Sequence, residues 1–187
     1  DYVFGKSKNY NINYNLKYRF SNYLKMETSL IYDENRGTTN EVFSKKRTLF
    51  AGIAKVTFKP TEKLTTAINF RKESNSDFEV PLLVSVAAEQ EITDNLALKA
   101  NVSTNYRIPT FNELYWPVVG NLDLIPEESV QGEIGASFKK KNIAITTSLF
   151  YIHLKHKILW LPTAASNLWR PRNVGDVTHS GAETAVK

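Results

Sequence analysis

From residue 8 to residue 20 every second side chain is apolar. Tyr10, Ile12, Tyr14, Leu16, Tyr18 and Phe20 fall on one side, and Asn9, Asn11, Asn13, Asn15, Lys17 and Arg19 on the other. A helical period of 3.6 would scatter the asparagines around the axis, so the spacing predicts a strand with one apolar and one polar face. The pattern then repeats. Leu24, Met26, Thr28, Leu30 and Tyr32 oppose Lys25, Glu27, Ser29 and Asp33; Thr48, Phe50, Gly52, Ala54, Val56 and Phe58 oppose Arg47, Ala51, Lys55 and Thr57. Further strands are predicted from Leu64 to Phe70, Val80 to Ala88, Leu96 to Tyr106, Val130 to Phe138 and Ile143 to Tyr151, and a ninth begins near Val174. The eighth has Leu149 and Phe150 side by side, and we place Ile143, Ile145, Thr147, Leu149 and Tyr151 on its apolar, outward side. Across the first seven strands the apolar face carries no charge, while Asn, Lys, Arg and Glu crowd the opposite one.

The connections alternate in length. Residues 21–22, 59–63, 93–95 and 139–142 are short links, whereas residues 33–46, 72–79, 107–127 and 156–172 are long ones. Short turns at one end and long loops at the other, joining strands of ~10 residues, are the pattern of an outer-membrane barrel. Aromatic residues gather near strand ends (Tyr10, Phe20, Tyr32, Phe58, Phe70, Tyr106, Phe138, Tyr151), where interface girdles sit. Alternation alone also fits a soluble β-sandwich whose apolar faces turn inward. The expected fold class is all-β in either case.

Composition narrows this. With 42% hydrophobic and 12% aromatic residues the chain is too apolar for a disordered tail. No run approaches ~18 apolar residues, so no spanning helix is expected, but barrel strands interleave polar and apolar positions and need none. There is no cysteine, which removes disulfides and thiolate metal sites. The net charge of +5 serves solubility, and its Lys and Arg also suit lipopolysaccharide phosphates. No basic run is long enough to argue for nucleic acid. The first residues, Asp1 to Gly5, carry no signal-peptide pattern, and the expectation is a processed or partial piece of a longer protein.

Between the sixth and seventh strands stands Arg107-x-Pro109-Thr110-x-x-Glu113-Leu114-Tyr115, then Gly120-Asn121, then Leu124-x-Pro126-Glu127-x-Ser129. In this order the motif resembles the barrel of TonB-dependent outer-membrane receptors. The similarity runs from about Leu82 to Lys187 and takes in Asn173-Val174-Gly175 and Gly181-x-Glu183. Trp116, Trp160-x-Pro162 and Trp169-x-Pro171 most resemble the cobalamin-receptor-like branch. The resemblance implies an antiparallel up-and-down meander supplying about nine strands of a plugged barrel of ~22. Residues 1–187 would form one barrel region, with the plug, the TonB box and the C-terminal strands outside it. It further implies an outer-membrane location and energy from the TonB complex acting through that absent plug. The cargo would be a scarce bulky nutrient: a ferric siderophore, haem or cobalamin. Neither an enzyme nor a bound cofactor is implied. The alternatives are a soluble β-sandwich gripping a glycan with its tryptophans, and a passive porin.

The candidate chemistry is sparse. His153 and His156 are three apart on a strand and face opposite sides, so no metal site is expected of them. His179 has no partner in the pattern. Asp123, Glu127 and Glu128 lack a nucleophile or fixed base and are read as loop hydrogen-bonding groups. Asn101-Val102-Ser103 matches a glycosylation triplet but falls inside a strand. The ligand-binding candidates are the loop residues Arg107, Glu113, Tyr115, Trp116, Trp160 and Trp169. Flat aromatic side chains on outer loops clasp bulky ligands at low entropic cost. Set beside this are plainer readings: an Arg107–Glu113 pair within the loop base, and aromatics that only pack the loops.

Overall fold

The computed structural model describes residues 5–39, 44–163 and 168–187. Eight strands follow one another from β1 (Gly5–Arg19) through β2 (Leu24–Thr39), β3 (Ser44–Thr61), β4 (Leu64–Asn75), β5 (Leu83–Thr93), β6 (Leu96–Arg107), β7 (Glu127–Lys140) and β8 (Ile143–Lys155). A one-turn helix, α1 (Phe111–Tyr115), interrupts the β6–β7 connection. A small hairpin, β9 (Ile158–Pro162) and β10 (Trp169–Asn173), interrupts the next one before β11 (Val177–Val186). The main sheet has nine strands in the order β1-β2-β3-β4-β5-β6-β7-β8-β11, antiparallel throughout. It is an up-and-down meander.

Register converts the alternating sequence into two continuous faces. Tyr14 pairs with Leu30, Leu30 with Gly52, Val56 with Ile68, Ile68 with Val86, Val86 with Val102, Ala100 with Ile134 and Ile134 with Leu149. Cross-strand partners share a face, so the apolar sets of β1 to β8 merge into one sheet-wide surface, with the expected phase for β8. That surface is uncovered: Tyr14 is 63% and Leu16 53% exposed, and Val84 is half-buried. A sandwich would have sealed all three. On the opposite, polar face Ala51 and Ser103 are buried, and Arg47 on that face reaches the loop carbonyl of Pro109. On β2 the apolar run Leu24 to Tyr32 covers about 27 Å of strand, or about 21 Å of height at a tilt of about 40°. That is close to the ~25 Å apolar band of a membrane barrel.

Three of the four short turns are made by hydroxyl side chains. Ser21 Oγ accepts from the backbone N–H groups of Tyr23 and Leu24, Thr93 Oγ1 from Asn95 and Leu96, and Thr61 Oγ1 from Leu64, each at 3.1–3.2 Å. These bonds stand in for a backbone turn and fix the hairpin register.

The strands run further than expected at the long-loop end. Most of residues 33–46 is a regular ladder, with Asn35 opposite Arg47 and Gly37 opposite Lys45; residues 40–43 lie outside the described residues. Here the hairpin has left the membrane, so neither face needs apolar side chains and the periodicity fades while the hydrogen bonding continues. β5 begins at Leu83 and not at Val80, which is buried at 3% exposure beneath the loops. Pro81 between them has no N–H to give a ladder. Residues 156–172, expected to be loop, hold β9 and β10, and the last strand starts at Val177.

Candidate functional site

At the long-loop end a compact layer folds over the polar face. Its base is Arg107, the last residue of β6, directly opposite Glu127, the first of β7. Nε and Nη2 of Arg107 donate to the two oxygens of Glu127 at 2.8 Å each, a bidentate fork. Nη1 reaches Glu113 Oε2 at 3.2 Å. Glu113 is held in turn by the start of α1. Thr110 Oγ1 accepts from the Glu113 N–H at 3.2 Å, and Glu113 Oε2 accepts from the Thr110 N–H at 2.7 Å, a reciprocal capping box. A helix of five residues has little stability of its own, so this box and the Arg107 contact decide that it forms.

Glu127 is buried and also accepts the Ile158 N–H at 2.8 Å, with Lys157 Nζ at 3.6 Å. Burial pushes its carboxyl upward, but the hydrogen bonds from Arg107 and Ile158 and the charge of Lys157 outweigh that and hold it at about 2. Arg107, drawn chiefly by Glu127, is held even more firmly protonated than usual. One carboxylate thus ties together β6, β7 and the start of β9.

A second anchor comes from β3. Arg47 Nε donates to Asp77 at 2.7 Å and Nη1 to the carbonyl of the fully buried Pro109 at 2.9 Å. Its guanidinium lies 4.7 Å from the Phe111 ring centre and 5.6 Å from that of Phe78. Asn121 and Asn173 then stitch the hairpin to the motif loop. Asn121 Nδ2 donates to Pro171 O at 3.0 Å; Asn173 accepts from the Ile125 N–H at 3.0 Å and donates to Ile125 O and His156 O. Arg170 Nη2 donates to Val118 O at 2.6 Å. Leu114, Leu124 and Ile158 make a small core beneath, with Phe78 and Tyr115 packed against it.

The six candidates separate by position. Arg107 and Glu113 pair in the clamp at the base. Tyr115 packs on the small core with Lys45 Nζ 4.6 Å above its ring, while Trp116 caps α1 and is 43% exposed. Trp160 lies opposite Pro171 and Trp169 opposite Pro162, so both project from one face of the β9–β10 hairpin. Around them Val118, Leu122 and Leu159 are exposed too. Sequence reasoning missed Arg47 and Asp77, which lie far from the motif, and Asn121 and Asn173 as cross-loop bonds. Asn121 and Asn173 do stand in the motif pieces Gly120-Asn121 and Asn173-Val174-Gly175, but nothing in the sequence pointed to Arg47 or Asp77. His153 pairs with Asp176 at 3.3 Å, and among the described residues no metal-ligating cluster forms.

The comparisons with known proteins agree with this architecture. A family model described as TonB dependent receptor-like, beta-barrel matches residues 1–187. The vitamin B12 transporter BtuB of Photobacterium profundum is 34% identical over 116 residues, which is 60% of this chain and 19% of that protein. BtuB of Vibrio vulnificus is 33% identical over 91 residues, 49% of this chain and 15% of that one. Among solved structures, the siderophore receptor PirA from Pseudomonas aeruginosa superposes with a TM-score of 0.87 at 18% identity, covering 96% of this chain and 37% of that receptor. The ferric enterobactin receptor PfeA from the same organism gives 0.81 at 14%, covering 97% and 33%. The chain therefore spans about a third of those receptors, and its matches cover under a fifth of the two transporters. With a bare apolar face, a capped polar face and a family match over its whole length, the protein belongs to the TonB-dependent receptor β-barrel family, receptors of the bacterial outer membrane and not enzymes.

Proposed function

We propose that this chain is part of the wall and extracellular loop layer of a TonB-dependent importer of a scarce bulky nutrient, driven by the TonB complex through a plug domain. One observation carries the reading: the sheet's polar face is capped at one end by a loop layer with its own core and anchors, from which Trp116, Trp160 and Trp169 project. A passive pore has no need of such an ordered, aromatic mouth. Of ferric siderophore, haem and cobalamin, we favour cobalamin, because the two relatives named as B12 transporters share 34% of residues over 116 positions and 33% over 91. The siderophore receptors share the shape at 18% identity or less, which speaks for fold alone.

The test is uptake by cells that carry the full-length receptor as their single route for each nutrient. Labelled cobalamin, a ferric catecholate and haem are supplied in turn, with and without TonB. TonB-dependent accumulation of cobalamin alone supports the reading. Accumulation of any nutrient without TonB would return the chain to the porin alternative. Trp160→Ala with Trp169→Ala should weaken binding by roughly ten-fold or more, on the scale of one or two lost aromatic anchors.

A further inference from the structure

On the polar, lumen-facing side of the sheet, β1 presents a single column of amides. Asn9, Asn11, Asn13 and Asn15 stand at every second position, opposite Asn35, Asp33, Ile31 and Ser29 of β2. Asparagine is depleted in strands because its side chain competes for local backbone bonds, so four in one column do not serve the ladder. A polar lumen does not require them either. The other lumen columns face the same space and mix charge with carbon: Leu49, Ala51, Ile53 and Lys55 on β3, Asn69, Arg71 and Glu73 on β4, Lys99, Asn101 and Ser103 on β6. From Asn9 to Asn15 the amides cover about 20 Å of strand, or about 16 Å of height at a tilt of about 40°.

Cross-strand bonds hold this column upright without exhausting it. Asn11 Nδ2 donates to Asp33, and Asn15 Oδ1 accepts from Ser29 Oγ at 2.5 Å. An amide side chain has two hydrogens to donate and an oxygen with two lone pairs. Asn11 therefore keeps its oxygen and Asn15 both hydrogens, while Asn13, opposite the apolar Ile31, makes no side-chain bond among the described residues. All four are exposed.

Toward the short-turn end the same column closes with Lys17 and Arg19. Arg19 lies directly opposite Lys25; Lys17 lies opposite Glu27, which is opposite Lys55 in turn. Like charges on register partners repel. Among the described residues none of these four cations has an ion-pair partner. Four cations beside a single carboxylate call for an anion.

Such a surface suits a solute that is neutral along most of its edge, rich in carboxamides and marked by one phosphate. Repeated weak sites, none of which holds for long, are what a moving solute needs. We propose that Asn9, Asn11, Asn13 and Asn15 are the track along which an amide-rich nutrient descends through the barrel, and that Lys17, Arg19 and Lys25 receive its phosphodiester at the periplasmic end. Cobalamin has this chemistry, with carboxamides around its ring and a phosphodiester in its tail. The track rests on the cobalamin reading for its cargo and adds the side of the lumen by which that cargo passes.

The test is uptake by cells carrying the full-length receptor as their single cobalamin route, scored separately from cobalamin bound to the same cells without TonB. In N11L/N13L/N15L each leucine keeps the branched outline of asparagine and removes its hydrogen bonds. Uptake should fall by about ten-fold or more, on the scale of two or three lost hydrogen bonds, while binding stays within about two-fold. N11Q/N13Q/N15Q should recover most of the rate. The control Q131L/S137L/T146L, on the lumen face of β7 and β8, should import as the wild type does. Equal slowing in the control, unchanged uptake in the leucine variant, or a loss of binding that matches the loss of uptake overturns the track. At the cations, R19Q/K25Q should slow cobalamin but not cobinamide, which lacks the phosphodiester; an equal effect on both overturns that assignment. Heat-modifiable migration checks that each variant has folded. Should the leucine variant not fold, single cysteines decide: excess cobalamin should shield N13C from a maleimide when TonB is present, and equal shielding of Q131C overturns the route. Import of a ferric catecholate in place of cobalamin sinks the choice of cargo and the track together. Cobalamin import indifferent to the asparagines sinks the track alone.

Discussion

Removing Arg107 should unlock the loop layer while leaving the wall intact. Its fork to Glu127 is two bonds of 2.8 Å, and weaker contacts of 3.2–3.3 Å reach Glu113. In Arg107→Met the two buried carboxylates lose their shared cation and keep only Lys157, at 3.6 Å from Glu127. Breaking a fully buried pair costs about 3–5 kcal/mol. Arg107 itself is 40% exposed, so water screens part of that loss, and about 2–3 kcal/mol is the better figure. The cost is local, because the β6–β7 ladder of twelve registered pairs does not need the side chain. Hydrogen exchange of the full-length receptor in detergent should show faster exchange, by about 30- to 150-fold, at the amides the clamp secures. These are Glu113, Leu114, Asn121 and Ile158. Amides in the middle of β6 and β7 should not change. Arg107→Lys should recover less than half of the protection, since an ammonium cannot supply the fork. Unchanged exchange at Ile158, or uniform loosening of the whole barrel, would refute the idea of a separately anchored layer.

Three further expectations follow from the same geometry. Glu127 titrates at about 2 in the fold against 4.5 for an ordinary glutamate, so its contribution is whole above pH 4.5 and disappears as pH falls through 2. Tryptophan fluorescence followed from pH 6 to pH 2 should register the hairpin loosening in the lower half of that range, and a midpoint near 4.5 would mean that Arg107 does not hold the carboxylate. At Gly120 an added Cβ would stand 2.6 Å from Leu114 O and 2.7 Å from Trp116 N, both backbone atoms that cannot yield. Gly120→Ala should therefore disorder α1 and the following turn, read as proteolytic cleavage there in an otherwise heat-modifiable barrel. On the wall, Val102→Arg puts a charge on the bare apolar face and should cost about 2–4 kcal/mol, whereas Asn101→Arg on the opposite, polar face should cost under about 1. Gel migration after graded denaturation compares the two, and equal costs would contradict the assigned faces.

How much of this was legible depended on which solvent each residue meets. Within the apolar band one face must suit lipid and the other water, so Tyr14, Leu30, Ile68 and Val102 write their strand into the sequence as a period of two. Above the band both faces meet water. The ladder from Asp33 to Thr39 therefore carries no apolar rhythm and reads as loop, although its hydrogen bonds continue unbroken. The hairpin of β9 and β10 was hidden for another reason. Trp160 faces Pro171 and Trp169 faces Pro162, and proline on a two-stranded hairpin is a signal against strand unless the pairing is already known. The Arg107-to-Glu127 motif was read as a unit through its family resemblance, and the Arg107–Glu113 pair, six positions apart, was legible, but the stronger fork to Glu127 shows only once β6 and β7 are in register. Arg47 was not legible, since its bond to Pro109 spans 62 positions and nothing nearby in the chain announces it.

That contrast bears on how such a wall can serve different cargoes. The sheet is held by ladder hydrogen bonds and by lipid, neither of which senses the loop side chains. The loop layer is held by a handful of polar knots, among them Arg107–Glu127, Arg47–Asp77 and Asn173–Ile125, around a core of three buried residues. Because the knots attach at strand ends, the exposed residues between them (Trp116, Val118, Trp160, Trp169) can change chemistry without disturbing either the anchors or the wall. A wall held in this way keeps its shape while its loop sequence varies, and receptors of the same fold accordingly share under a fifth of this sequence.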